Sequence, residues 1–276
     1  IQEIFWRYAT EVEPLSLDEA YLDVSHATIL EGSATRIAQA IKDDIQAETG
    51  LIASAGVSYN KFLAKMASDV DKPDGLYVIK PDQGAEFVVA LAVGKFHGVG
   101  PATEAKMHRL GIKTGADLKA WGAFDLTANF GKAGDYYYHI ARGIDLRPVR
   151  SSRVRKSLGK ETTFVKDIND IPALIEQLNV LAEKVFQHMD AKELQARTLT
   201  LKVKYANFQQ VTRSLSRTEP IKDLANMQTM LIELLSRTEA GPQAVRLVGV
   251  TASGFMQNSD LELEQQLEFD LNLPEQ

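Results

Sequence analysis

The sequence predicts an α+β protein, and three observations carry that prediction. Segments of helical and strand period alternate through residues 1–81. Residues 82–146 hold short helical segments punctuated by glycine, with no convincing strand. From Lys156 onward the order is strand, helix, strand, strand, helix, strand. That last succession is the ferredoxin-like β-α-β-β-α-β arrangement, an antiparallel sheet with helices on one face. At 276 residues the chain is too long for one ordinary core. The expected division is 1–81, an all-helical part at 82–146, a basic linker at 147–156, a sheet domain at 157–259 and an acidic tail at 260–276.

Taken in order, "IQEIFWRY" looks like the middle of an amphipathic helix, without an initiator Met or a start signal, so an N-terminal part of a longer parent is expected to precede it. Strand-like "PLSLDEAYLDV" follows, then a helix over about 33–48, a buried-looking strand "LIASAGV", a helix over 60–69 and the short strand "GLYVI". In the last domain "RTLTLKVKY" alternates: Leu199, Leu201, Val203 and Tyr205 face one way, Thr198, Thr200, Lys202 and Lys204 the other. Helices are expected at about 170–189 and 221–237, and strands at "VTRSLSR" and "VRLVGVTASGF".

Composition excludes several classes. With 45% hydrophobic and 25% charged residues the chain is globular. The longest apolar run, Phe87 to Val93, is far short of a membrane span, and no signal peptide is visible. Without cysteine there is no disulfide, thiolate metal site or cysteine nucleophile, which is compatible with a reducing cytosol. The net charge of -6 hides an uneven distribution. Residues 147–160 carry Arg147, Arg150, Arg153, Arg155, Lys156 and Lys160 with no acid, whereas 260–276 carry six acids and no base.

Asp18 and Glu19 are adjacent carboxylates in "SLDEAYLD", with Asp23 just beyond. If the segment is a strand, Leu15 and Leu17 share the apolar face and Asp18 points away from it; Glu19 joins Asp18 only if the chain turns, as at a hairpin tip. Two carboxylates held close repel unless they share a cation. A hard ion such as Mg²⁺ suits them, and two such ions about 4 Å apart stabilise the attacking and leaving oxygens of a phosphoryl-type transfer. An isolated Asp-Glu pair is more often a solvated turn. Lys72 stands before Pro73, which pushes it toward extended backbone, out of the preceding helix. Alone it is an ordinary surface lysine. Lys61 and Lys65, four apart, read as a solvated helix face opposite Phe62, Leu63 and Met66.

In "FHGVGPATEAKMHRLGI" Gly98 and Gly100 flank Val99 in a tight hairpin and Pro101 suits the first helical position. Free backbone N–H groups at such a turn form an anion site that takes a DNA phosphate without reading a base. This is a helix-hairpin-helix pattern; a plain helix turn is the alternative. Tyr136 to Tyr138, in the weaker glycine turn 130–143, read as helix packing. Lys202 and Lys204 on the open sheet face, Arg213 and Arg217 on the next strand, and Arg153, Arg155 and Lys156 of the linker together suit a duplex backbone. In "EQQLEFDL" Gln266, Leu267, Phe269 and Leu271 form an extended apolar series that a partner's groove could bury.

"SLDEAYLD" followed by "ASAGVSYNKFLAKMASDVDKPDGLYVI" resembles the palm of the Y-family DNA polymerases over residues 14–79. The resemblance implies that Asp18 is a metal ligand, that Glu19 is the adjacent catalytic carboxylate, and that Lys72 touches the incoming deoxynucleoside triphosphate. It implies a partial palm, a helix-hairpin-helix thumb and a little finger. It further implies two Mg²⁺ per site, primer-template DNA as partner, a sliding clamp bound through the tail, a monomer, and a cytoplasmic location. The family's further metal-binding aspartate and fingers region have no residues in this chain. The activity so implied is error-prone translesion synthesis. The second reading is a catalytically incomplete DNA-binding or accessory protein on the same scaffold. A helix-hairpin-helix nuclease or glycosylase is weaker, for its catalytic lysine or acid after the hairpin is not evident.

Overall fold

In the computed structural model, which describes residues 1–152 and 154–256, the chain divides into two compact units, Ile1–Arg153 and Val154–Gln276. The first opens with α1 (Gln2–Tyr8), β1 (Glu11–Pro14) and β2 (Ala20–Asp23), then α2 (Ala34–Thr49), β3 (Ala55–Val57), α3 (Lys61–Ser68) and β4 (Leu76–Val78). Side chains cap both longer helices: Ser33 accepts from the Arg36 N–H and Asn60 from the Leu63 N–H. β1 and β2 pair antiparallel, β3 and β4 parallel.

Two expected strands differ. Residues 14–24 are not one strand, because the chain reverses over 15–19, where the Leu15 and Ser16 N–H groups both donate to the Glu19 carbonyl at 2.9 and 3.3 Å. Leu17 is therefore fully exposed at a hairpin tip rather than facing an apolar layer. Residues 51–54 do not join β3, since β4 offers only three paired residues, and Leu51 and Ile52 stay more than half exposed.

The helical part contains α4 (Gly84–Ala90), α5 (Pro101–Arg109), α6 (Gly115–Ala120), α7 (Ala123–Phe130) and α8 (Lys132–Ile140). Phe62, Leu63 and Met66 of α3 bury into the same cluster as Val88, Phe96, Met107, Leu118, Leu126 and Ile140. One apolar core thus runs from α3 through all five helices, and burying it drives the docking of α3 onto them. On its other side α3 meets the backbone of β3. A Cβ on Gly56 would lie 2.1 Å from the Ala64 carbonyl oxygen and 2.3 Å from the Ser68 nitrogen, so only glycine permits this approach.

The second unit follows β5 (Ser157–Ile168), α9 (Ile171–Asp190), β6 (Ala196–Tyr205), β7 (Gln210–Ser216), α10 (Leu224–Ser236) and β8 (Val245–Phe255). Strand order, which succession alone leaves open, is β5-β8-β6-β7, antiparallel throughout. Each helix therefore links two parallel strands with a third between them, a split β-α-β unit. Leu199, Leu201 and Val203 of β6 and Val248, Val250 and Ala252 of β8 pack beneath Leu174, Leu178 and Leu181 of α9 and Met230, Leu231 and Leu234 of α10.

Candidate functional site

Asp18 and Glu19 stand at a hairpin tip, so the turn that their carboxylates need to share one side is present. The Ser16 hydroxyl donates to the Asp18 carboxylate at 2.6 Å. That bond, aided by the charge of Lys72, holds the Asp18 carboxyl below the usual carboxylate range. Among the described residues Asp18 makes no ion pair. Asp23 does not join the tip: it lies opposite Glu11 at the far end of the hairpin and accepts from the Ser25 N–H at 2.9 Å.

Lys65 and Lys61 are not a solvated face. Both side chains are largely buried, at 13% and 9% exposure, because α3 lies between the hairpin and the helical core. Lys65 Nζ sits 3.3 Å from Glu19 Oε1 and 2.9 Å from Asp69 Oδ2. Asp69 Oδ1 in turn accepts Lys72 Nζ at 2.6 Å. Burial works to raise the Asp69 carboxyl, but the bonds from Lys72 and Lys65 outweigh it and hold it low. Burial likewise works to lower Lys65, and Asp69 with Glu19 holds it up. Glu19, Lys65, Asp69 and Lys72 thus alternate in charge along one chain of contacts, with Asp18 at its edge. Lys61 is 2.5 Å from Glu13 and 3.2 Å from the Pro148 carbonyl oxygen.

Lys72 leaves the end of α3 as expected, and the Lys72–Pro73 peptide is cis. The loop behind it is tied down by Lys42 of α2, whose buried Nζ reaches the Asp74 and Gly75 carbonyls and the Asp74 carboxylate. Neither Asp69 nor Lys42 was singled out from the sequence. The spacing Lys65, Asp69, Lys72, four then three, was the signal for Asp69.

Two acid side chains on one tip, with Asp18 exposed and in no ion pair among the described residues, fit Mg²⁺, which is commonly held by one or two carboxylates plus substrate phosphates and water. Among the described residues no group of three or more His, Asp or Glu side chains could hold a metal by itself.

The glycine hairpin has the geometry of an anion site. Gly98 takes φ +91°, open to glycine, and the Val99 N–H donates back to the Phe96 carbonyl at 2.9 Å. Gly100 is the extended N-cap of α5, Pro101 opens the helix, and no side chain caps the first turn. The Glu104 carboxylate lies against Gly94, where a Cβ would meet it at 2.1 Å. Tyr137 is buried in the helical core, and the Tyr136 hydroxyl donates to the His97 carbonyl at 3.3 Å.

Residues following α8 dock on the first unit. Asp145 accepts from the Phe62 N–H and binds the Arg147 guanidinium through both oxygens at 2.7 Å. Glu13 accepts from the Arg150 N–H and Glu11 from the Ser151 N–H, so 150–151 run along β1. Arg155 and Lys156 are exposed, and Arg153 lies outside the described residues.

In the second unit the face away from the helices is mostly hydroxyl. Register aligns Ser157, Ser253, Thr198 and Ser216 in one row and Gly159, Thr251, Thr200 and Ser214 in the next. Lys202 and Lys204 share that face, Lys202 paired to Glu161 at 2.7 Å. Arg213 does not share it. It alternates with Thr212 and Ser214, so it lies on the helix side, donating to the Arg237 carbonyl at 2.8 Å. Arg217 pairs with Glu233 of α10 at 3.6 Å. Gln266, Leu267, Phe269 and Leu271 lie outside the described residues.

Residues 1–69 match the impB/mucB/samB family, 155–268 its C-terminal domain, and 95–145 a DNA polymerase-iota thumb domain. The chain is 53% identical to DNA polymerase IV of Alkalilimnicola ehrlichii, over 93% of its length and 72% of the relative's. It is 50% identical to DNA polymerase IV 2 of Agrobacterium fabrum, over 99% and 76%. Among solved structures it is similar to a Y-family polymerase chimera of Dbh and Dpo4 (TM-score 0.80, 24% identity, 92% of this chain and 74% of that one). It is also similar to DinB from Sulfolobus solfataricus (TM-score 0.54, 24% identity, 91% and 74%).

Proposed function

The chain belongs to the Y-family of DNA polymerases, close to DNA polymerase IV, and from that premise we propose that its hairpin tip is the metal-binding side of an error-prone nucleotidyl-transfer site. It is a translesion, DNA-directed DNA polymerase. Asp18 and Glu19 would hold Mg²⁺. When bound, the ion neutralises charge on the triphosphate and activates the primer hydroxyl.

The chain's own residues set the geometry around that ion. Ser16 orients Asp18, the Leu15 and Ser16 amides fix the turn at the Glu19 carbonyl, and Lys65 fixes the Glu19 carboxylate. Lys72, exposed and paired among the described residues with the neighbouring Asp69, can exchange that partner for a nucleotide phosphate. The Gly98 and Gly100 amides and the start of α5 take a phosphate of the primer-template duplex. Arg155, Lys156 and the open face with Lys202 and Lys204 contact the duplex through hydroxyls and charge, and Arg153 is assigned to the same role from the sequence. Arg213 supports the sheet from its other side. The acidic tail, with Gln266, Leu267, Phe269 and Leu271, docks on the sliding clamp.

The observation that supports this reading best is a tip that carries exposed Asp18, in no ion pair among the described residues, and half-buried Glu19 at the start of a chain of contacts that ends at exposed Lys72: acid oxygens suited to a divalent cation near an ammonium suited to a phosphate. Primer extension by the full-length enzyme tests it. Asp18→Asn or Glu19→Gln should each lower kcat by at least about 10²–10³ while leaving DNA affinity within about twofold, because metal-site electrostatics act in the transition state. Near-normal extension by either variant refutes the assignment.

A further inference from the structure

We propose that Asp69 is a positioning residue that holds Lys72 away from Asp18 and shares Lys65 with Glu19, and so keeps the tip open to a divalent cation; this rests on the metal-site reading above. The site holds two carboxylates and two ammonium groups in one chain of contacts, with the Asp18 carboxylate at its edge. An ammonium and a divalent cation compete for the same carboxylate oxygens, and each repels the other. Lys72, left without a partner, would turn to the nearest acid, and its charge already acts on Asp18.

Asp69 prevents this by geometry. It is the C-cap residue of α3, where its own N–H donates to the Met66 and Ala67 carbonyls. Its two oxygens therefore project from a fixed point. Oδ1 holds Lys72 at 2.6 Å, and Oδ2 draws Lys65 to 2.9 Å, leaving the longer 3.3 Å contact for Glu19. The outcome is one lysine poised near each tip carboxylate, with Asp18 unpaired among the described residues. A triphosphate arriving at Lys72 displaces Asp69, not a metal ligand.

Mn²⁺ titration of the full chain, followed by electron paramagnetic resonance, tests the idea through a double-mutant cycle. Asp69→Asn, isosteric and neutral, should weaken Mn²⁺ binding about fivefold, the size of a partly exposed ion pair. Asp69→Glu should bind as the parent does. Lys72→Met should restore binding in the Asp69→Asn background yet change it less than about twofold in the parent, where Asp69 already occupies the lysine. Equal effects of Lys72→Met in both backgrounds would mean that Asp69 acts only as diffuse charge, and would overturn the proposal; so would Asp69→Asn binding like the parent. Mn²⁺ binding that is absent, or indifferent to Asp18→Asn, would instead overturn the metal-site reading itself, and the proposal with it.

Discussion

Removing the Asp145 carboxylate should loosen the first unit more than any single surface change. The Asp145 side chain is 2% exposed and accepts four hydrogen bonds: from the Phe62 N–H at 3.0 Å, the Arg147 N–H at 3.2 Å, and the Arg147 guanidinium twice at 2.7 Å. In Asp145→Ala the Phe62 N–H, in the first turn of α3, loses its acceptor inside the protein, which costs about 1–3 kcal/mol. Arg147 is half exposed and regains water, so its lost ion pair adds only about 1 kcal/mol or less. The sum is about 3 kcal/mol, or roughly 6–12 °C in Tm for a unit of this size. Calorimetry of the unit's own transition measures it.

The same carboxylate gives a pH test. Burial works to raise the Asp145 carboxyl, but the bonds from Arg147 outweigh it, and the folded-state pKa lies below the unfolded one. Its stabilising contribution is therefore fully present above the unfolded value of about 3.9 and disappears as the pH falls through the folded value. Asp145→Asn should be less stable than the parent at pH 6, and the gap should close below about pH 4. A Tm change under about 2 °C for Asp145→Ala at pH 7, or a gap that persists in acid, would refute this account.

Gly56→Ala should destabilise the first unit by about 3 kcal/mol and lower activity with it, since the new methyl pushes α3, and Lys65 with it, off β3; unchanged melting would show that the backbone yields freely. DNA affinity should fall with salt by about 0.9 log units per log unit for each phosphate neutralised, and changing Arg153, Arg155 and Lys156 together to alanine should flatten the slope by up to about 2.7. An unchanged slope would remove the linker from the interface. Deleting residues 265–276 should abolish clamp-stimulated synthesis while sparing unaided synthesis, with Leu267 and Phe269 each contributing about 2 kcal/mol. Equal clamp affinity by calorimetry for the intact chain and one ending at Glu264 would contradict this.

The Gly98–Val99–Gly100–Pro101 hairpin, the helix starts near 33 and 60 and the inward face of β6 were legible because each is local: a glycine φ, the onset of a helical period, a period of two. The Asp18-Glu19 pair was legible as chemistry for the same reason, though its hairpin setting was open. Burial of charge was not legible. Lys61 and Lys65 sit at a spacing that suits a solvated face, and became internal only because both faces of α3 are covered, one by the helices and one by the hairpin and β3.

By itself, then, the sequence determined the order of most elements, the adjacency of Asp18 and Glu19 in the chain and the family resemblance, all set by neighbours in the chain. Tertiary structure alone decided that Arg213 lies behind the sheet, that Asp145 buttresses the start of α3 and that Asp69 governs two lysines. These depend on strand register, on which helix packs where, and on which carboxylate a long cationic side chain can reach, and such contacts are selected by burial and Coulomb energy over the whole fold.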